Sequence, residues 1–126
     1  MNQAGRILIV DDDENNLELY DILLKAENYT VIKARDGVEA LDRFEKVQPD
    51  LVILDLMMPR LNGLEFCARL RHNPRARNIP ILILTGLDEP ETRQNALEQG
   101  ATAFLAKPFK SDALLQQVRT LLAPRA

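Results

Sequence analysis

The chain has 126 residues, 46% hydrophobic and 28% charged, with a net charge of −3 and a pI near 5.2. That length suits one domain with a real core, and the balance is that of an ordinary soluble globular protein rather than a basic nucleic-acid-binding module. A single cysteine excludes an intramolecular disulfide and fits a reducing cytoplasm, no apolar run approaches the roughly 18 residues of a membrane span, and the start MNQAGR is too short and polar for a signal peptide.

Strand and helix patterns alternate five times along the sequence. Ile7–Val10 is a continuous apolar run and reads as the first strand; Asp11, Asp12 and Asp13 follow it directly. The stretch NLELYDILLKA spaces Leu17, Tyr20, Leu23 and Leu24 as an amphipathic helix does. Thr30–Ala34 is a less uniform strand, suited to a place near a sheet edge. GVEALDRFEKV opens after Asp36 with Glu39 three residues on, an Asx-type capping box.

Leu51–Leu54 and Ile81–Leu84 are again continuously apolar, as central parallel strands covered on both faces are. Between them LEFCARLR forms a helix that stops near Asn73-Pro74, with Cys67 at an inward position as buried filler. Arg69, Arg71, Arg75 and Arg77 cluster there and read as a solvated helix end and loop; His72, the only histidine, reads as solvated too. A short fourth helix can be capped by Asp88, with Glu91 three later, and closed by Gly100. Ala103–Leu105 is the fifth strand, and DALLQQVRTLL the fifth helix, starting after Ser111 and ending before Pro124. The expectation is one α/β domain over residues 1–126, a doubly wound (βα)5 fold with right-handed crossovers. The chain reads as either a free-standing domain or a fragment cut at a domain edge.

Chemistry concentrates where strands end, as open α/β sheets dictate. Asp55 closes the apolar run LVILD and is followed by Leu56-Met57-Met58, Pro59 and the turn glycine Gly63. Adjacent residues leaving a strand point in different directions, so one or two of Asp11, Asp12 and Asp13 can aim over the sheet while another caps the next helix. If the first and third strands are neighbours, Asp11, Asp12 and Asp55 converge. Carboxylates that close resist ionising together unless a cation joins them, and Mg²⁺ suits such a set with a carbonyl, waters and a phosphate oxygen. Lys107 at the end of the fifth strand supplies fixed positive charge. Thr85 can offer a hydroxyl to a phosphoryl oxygen, and Gly86 lets the backbone come close.

VDDD at 10–13, DLMMPRLNG at 55–63, TG at 85–86, GA at 100–101 and KPF at 107–109 stand in the order and at the spacing of the receiver domain of bacterial two-component response regulators, which the chain resembles over about residues 6–122. The resemblance implies a flavodoxin-like fold with a parallel five-stranded sheet of order 2-1-3-4-5. It implies a phosphoprotein in which Asp55 accepts a phosphoryl group from a histidine kinase or phosphotransfer protein, with Mg²⁺ (or Mn²⁺) held by Asp12, Asp55 and the Met57 carbonyl directly and by Asp11 through water. Thr85 and Lys107 would bind phosphoryl oxygens, and the Lys107-Pro108 bond would be cis. Thr85 and Phe104 would form the switch read out at helix 4, strand 5 and helix 5, toward a downstream protein or an attached effector domain.

Certain positions depart from the family or vary within it. Phe104 stands where the family's switch aromatic does, without the hydroxyl of a tyrosine. Met57 and Leu87 occupy the positions that tune phosphate lifetime, and neither can orient a water. Thr102 and Ala103 replace acids that the dimerising subgroup carries, so a monomer or weak dimer is expected. The residues imply at most slow self-catalysed phosphorylation and dephosphorylation, cytoplasmic placement, and no direct nucleic-acid or membrane contact. The alternatives are a phosphatase of the haloacid-dehalogenase type, whose D-x-D nucleophile motif follows the first strand, and a pseudo-receiver acting only as a protein-binding module.

Overall fold

The computed structural model describes residues 5–56, 63–86 and 90–123. They form β1 (Arg6–Val10), α1 (Glu14–Lys25), β2 (Thr30–Ala34), α2 (Gly37–Val47), β3 (Leu51–Asp55), α3 (Gly63–Arg71), β4 (Ile81–Thr85), α4 (Pro90–Glu98), β5 (Ala103–Ala106) and α5 (Ser111–Leu122), with a short 3₁₀ turn at Pro74–Ala76. The strands are parallel, in the order β2-β1-β3-β4-β5. The mixed second strand is an edge strand, as its composition suggested.

The strands sort their side chains by parity, as a period of two requires. Leu8, Val10, Val52, Leu54, Ile81 and Ile83 pack with Ala40 and Phe44 of α2, Phe66, Cys67 and Leu70 of α3, and Ala96 of α4. Ile7, Ile9, Leu51, Ile53, Leu82 and Leu84 pack on the other face with Leu17, Tyr20 and Leu24 of α1 and Leu114 and Val118 of α5. All these strand residues are buried. Cys67 is the buried filler expected, and its burial raises the thiol pKa.

Local signals hold the helix starts. Asp13 accepts a hydrogen bond from the Asn15 N–H at 2.8 Å and caps α1. Asp36 accepts from the Glu39 N–H at 2.7 Å and caps α2. Glu39 reaches back one residue further than a standard capping box, to the Arg35 N–H at 2.9 Å. Each such cap contributes about 1 kcal/mol. Ser111 is not a cap: it is the first residue of α5, flanked by Lys110, and no side chain caps that end. Asp88, the expected cap of α4, lies outside the described residues.

The arginine cluster divides, and one of its members corrects the sequence reading. Arg71 turns inward from the end of α3 instead of into solvent. Its guanidinium donates to the carbonyls of Gly100 (2.8 and 2.9 Å), Ala76 (2.6 Å) and Ile79 (2.6 Å) and to Thr102 Oγ1 (3.2 Å). Thr102 Oγ1 in turn accepts from the Ile81 N–H at 3.0 Å. One side chain thus ties together the end of α3, the 3₁₀ turn and the starts of β4 and β5. The reason is carbonyls at the ends of elements, where helices and ladders supply few donors, and arginine offers five. Burial lowers the Arg71 pKa without making it a neutral group. His72, by contrast, is exposed as expected.

Gly100 has φ +110°, and a Cβ there would stand 2.5 Å from Arg71 Cγ. Gly100→Ala is therefore expected to lower unfolding stability by roughly 2–4 kcal/mol, combining backbone strain with overpacking. Urea denaturation followed by circular dichroism checks this. A loss of less than about 0.5 kcal/mol, ordinary for a surface site, would contradict the clamp.

Candidate functional site

β3, β4 and β5 each run one residue further than the apolar runs suggested, and this matters. Asp55 is the last residue of β3, in register with Leu84; Thr85 is the last of β4, in register with Ala106. Backbone hydrogen bonds continue beyond the strand ends: Asp11 N–H to the Ala34 carbonyl (3.1 Å), Leu56 N–H to Leu84 (2.9 Å) and Lys107 N–H to Thr85 (2.7 Å). The functional groups are held by the sheet itself, which is stiffer than a loop.

Parity then decides what meets what. Asp11 continues the series Ile7, Ile9; Asp55 continues Leu51, Ile53; Lys107 continues Ala103, Leu105. All three series lie on the α1–α5 face. Lys107 Nζ donates to Asp55 Oδ2 at 2.9 Å. Asp55 is 6% exposed and Asp11 1%. Asp11 Oδ1 accepts from the Asp13 N–H at 2.9 Å, and Oδ2 from Asn16 Nδ2 at 3.2 Å. Burial nevertheless wins over these donors, and with the nearby Asp55 charge it pushes the Asp11 pKa up to about 6. Asn16 is a site residue the sequence reading missed; a polar side chain beside Leu17, on the first turns of a helix that follows acids, was the available signal.

Asp12 has the opposite parity and is exposed. It lines an open cavity of about 440 Å³ with Arg35, Asp36 and Glu39. The expected convergence of Asp11, Asp12 and Asp55 is therefore only half met, by Asp11 and Asp55. Among the described residues no three histidine, cysteine or acidic side chains gather closely enough to hold a metal. The donor set still fits a hard divalent cation: one buried carboxylate whose pKa burial raises to about 6, with a second carboxylate beside it. Met57, expected to add its carbonyl, lies outside the described residues, as does Leu87.

Thr85 continues Ile81 and Ile83 on the face of α2, α3 and α4 and is fully buried. Phe104 pairs in register with Ile83 and packs against the same cluster. Thr85 and Phe104 therefore stand diagonally on one face, where the expected relay needs them. The Arg93 guanidinium of α4 lies 4.8 Å from the Phe104 ring centroid. Lys107-Pro108 is cis, as expected.

A family model described as "Response regulator receiver domain" matches residues 7–119. The chain belongs to the response regulator receiver domain family. Receiver domains are signalling modules of two-component systems rather than classical enzymes. The chain is 46% identical over 117 residues to "Response regulator MprA" of Mycobacterium sp. (strain KMS), covering 93% of this chain and 50% of that protein. It is 42% identical over 118 residues to "Response regulator PleD" of Caulobacter vibrioides, covering 94% of this chain and 26% of that one. The chain thus spans a quarter to a half of the length of these relatives. Among solved structures, Vibrio cholerae chemotaxis protein CheY4 superposes with a TM-score of 0.91 at 34% identity, covering 95% of this receiver and all of CheY4. No helix among the described residues of the receiver is long and apolar enough to cross a membrane.

The raised Asp11 pKa carries a sign. The folded protein keeps a proton that the unfolded chain releases near pH 3.8. Without metal, the Asp11 contribution is harmless below about pH 4 and costs stability as pH climbs toward 7, on the order of 1–3 kcal/mol. Asp11→Asn should therefore be more stable than wild type in EDTA, by a margin that grows from pH 4 to pH 7 in urea titrations. A margin that shrinks or reverses over that interval would contradict the assignment.

Proposed function

We propose that this receiver is a phosphoacceptor switch in which Asp55 takes a phosphoryl group from a phosphohistidine of a histidine kinase or phosphotransfer protein. The observation that carries this reading is Lys107 Nζ at 2.9 Å from Asp55 Oδ2 beside the buried Asp11. It assembles the charges that phosphoryl transfer needs and little else, and that reaction depends on positioning and neutralisation more than on covalent help.

In the step, an Asp55 carboxylate oxygen attacks phosphorus in line with the donor imidazole. The new O–P bond forms as the P–N bond breaks, and the imidazole keeps the electron pair and takes a proton from solvent. Lys107 holds one Asp55 oxygen and is placed to hold a phosphoryl oxygen as charge moves outward. Thr85 offers its hydroxyl to another. Asp12, Asp55 and the Met57 carbonyl, with Asp11 through water, would hold Mg²⁺ or Mn²⁺, which would supply positive charge to the phosphoryl oxygens; for this the exposed Asp12 must turn toward Asp55. The product is an acyl phosphate, so the signal is transient. Met57 and Leu87, apolar at the lifetime-tuning positions, support slow loss of the phosphoryl group, since water-orienting help is typically worth about 10²–10⁴-fold.

Output is assigned to α4, β5 and α5. α4 buries only Ala96 and leaves Leu97 half exposed, and every residue of β5 is half-buried. These are the elements whose movement costs least. Thr85 drawn toward a phosphoryl group would vacate space on the face it shares with Phe104, and a ring needs volume, not a hydroxyl, to enter it. The readers would be a downstream protein or an attached effector domain. The net charge of −3 supports protein contacts over nucleic acid for these 126 residues. Thr102 is taken up by Arg71 and Ile81, which supports a monomer or weak dimer. A cytoplasmic location fits the reduced cysteine.

Acetyl phosphate with Mg²⁺ should add one phosphoryl group to the wild type by intact mass and none to Asp55→Asn. A stable adduct on Asp55→Asn at the wild-type level would overturn the acceptor. Phe104→Ala should still be phosphorylated but show weakened amide shift changes across residues 90–106 on addition of beryllofluoride and Mg²⁺, while Phe104→Tyr behaves as wild type. An unaltered response in Phe104→Ala would remove Phe104 from the switch.

A further inference from the structure

We propose that Tyr20 is a positioning residue for Lys107, acting through a ring stack with Phe109. Tyr20 and Phe109 stack with centroids 6.3 Å apart and planes 27° from parallel. Tyr20 is 4% exposed and sits in the buried cluster of the α1–α5 face, the face to which Asp11, Asp55 and Lys107 belong. Helical side chains lean toward the helix N-terminus, and the N-terminus of α1 lies at the acids. Its phenol feels them: burial first, then the charges of Asp11, Asp55 and Asp13, push the pKa up to about 12. The ring therefore lies in the buried cluster of the face that carries the acid pair.

Its partner lies two residues past the lysine. β5 is a four-residue edge strand with every residue half-buried, so the sheet fixes the backbone as far as Lys107 and little beyond it. Beyond it, Lys107 to Lys110 cross to α5, and Lys110 gives that helix no side-chain cap. Among the contacts at this crossing are the Lys107 N–H on the Thr85 carbonyl and the Phe109 ring against the α1 side. The first fixes the backbone of Lys107, and the second fixes where the segment leaves the sheet. Tyr20 comes from the same helix as Asn16, which holds Asp11, and the two are four residues apart on one helical face. α1 thus sets both sides of the site: Asn16 places the acid, and Tyr20, through Phe109, places the ammonium. Only the ring is needed, not the hydroxyl.

The inference rests on the phosphoacceptor reading, so its test has one arm that does not. Wild type, Tyr20→Phe and Tyr20→Leu are compared in two measurements: the rate of phosphorylation by acetyl phosphate at saturating Mg²⁺, and the rate of reductive methylation of Lys107 followed by peptide mass spectrometry. Tyr20→Leu should slow phosphorylation roughly tenfold, below the 10² that a misplacement of about 1 Å can cost, and should speed Lys107 methylation several-fold. Tyr20→Phe should match wild type in both. Phe109→Leu, which removes the other ring, should reproduce Tyr20→Leu and replaces it if that variant does not fold. Unchanged Lys107 methylation in the leucine variants overturns the proposal, as does a Tyr20→Phe that behaves like Tyr20→Leu. A wild type that takes no phosphoryl group would sink the phosphoacceptor reading alone, and the methylation arm would still decide whether Tyr20 places Lys107.

Discussion

Two carboxylates and one ammonium share a nearly dry space at the carboxyl end of the sheet, and the rest of the site follows from that imbalance. Lys107 neutralises Asp55 at 2.9 Å, which leaves Asp11 buried with no cation of its own among the described residues. Two hydrogen bonds to Asp11 offset only part of the cost of burying it. A buried group held in this way is strongly biased toward any ligand that adds positive charge. The exposed ion pairs elsewhere, such as Arg35 with Glu14, are of a different kind; pairs like these contribute about 0–1 kcal/mol each.

The sheet delivers this arrangement through parity. Because residues alternate faces, a single register across β1, β3 and the end of β5 sends Asp11, Asp55 and Lys107 to the α1–α5 face. The same register sends Thr85 and Phe104 to the face that carries α4. The acids and the lysine are thereby kept on one face of the strand ends and Thr85 and Phe104 on the other, while α5 of the proposed readout surface packs on the first. Arg71 holds the far end of that second face, binding Gly100 just after α4. α4 is then tied at its carboxyl end by a multidentate clamp, and along its length it buries Ala96 and sets Arg93 over the Phe104 ring.

Much of this was legible in the sequence. The apolar runs marked β1, β3, β4 and β5, and the cap at Asp36 was readable from its spacing. The split between Asp11 and Asp12 was not. β1 is apolar on both faces, so Ile7 and Ile9 look the same as Leu8 and Val10, and nothing local says which parity faces α1. Arg71 looked like its three basic neighbours because its partners are carbonyls, which carry no sequence signature, assembled from segments up to 31 residues away. Tyr20 read as an ordinary core residue for a related reason: its partner Phe109 reaches it only once β5 has taken its place at the opposite edge of the sheet from β2.

The central claim of the proposed function is that Asp11 and Asp55 belong to a divalent-cation site, with the raised Asp11 pKa marking the charge that a cation would supply. Isothermal titration of Mg²⁺ at pH 6, run in two buffers of different ionisation enthalpy, tests it most directly. The account predicts one Mg²⁺ per chain and net proton release in the wild type, with the release lost in Asp11→Asn. Binding without proton release in the wild type, or no binding at millimolar Mg²⁺, would contradict it.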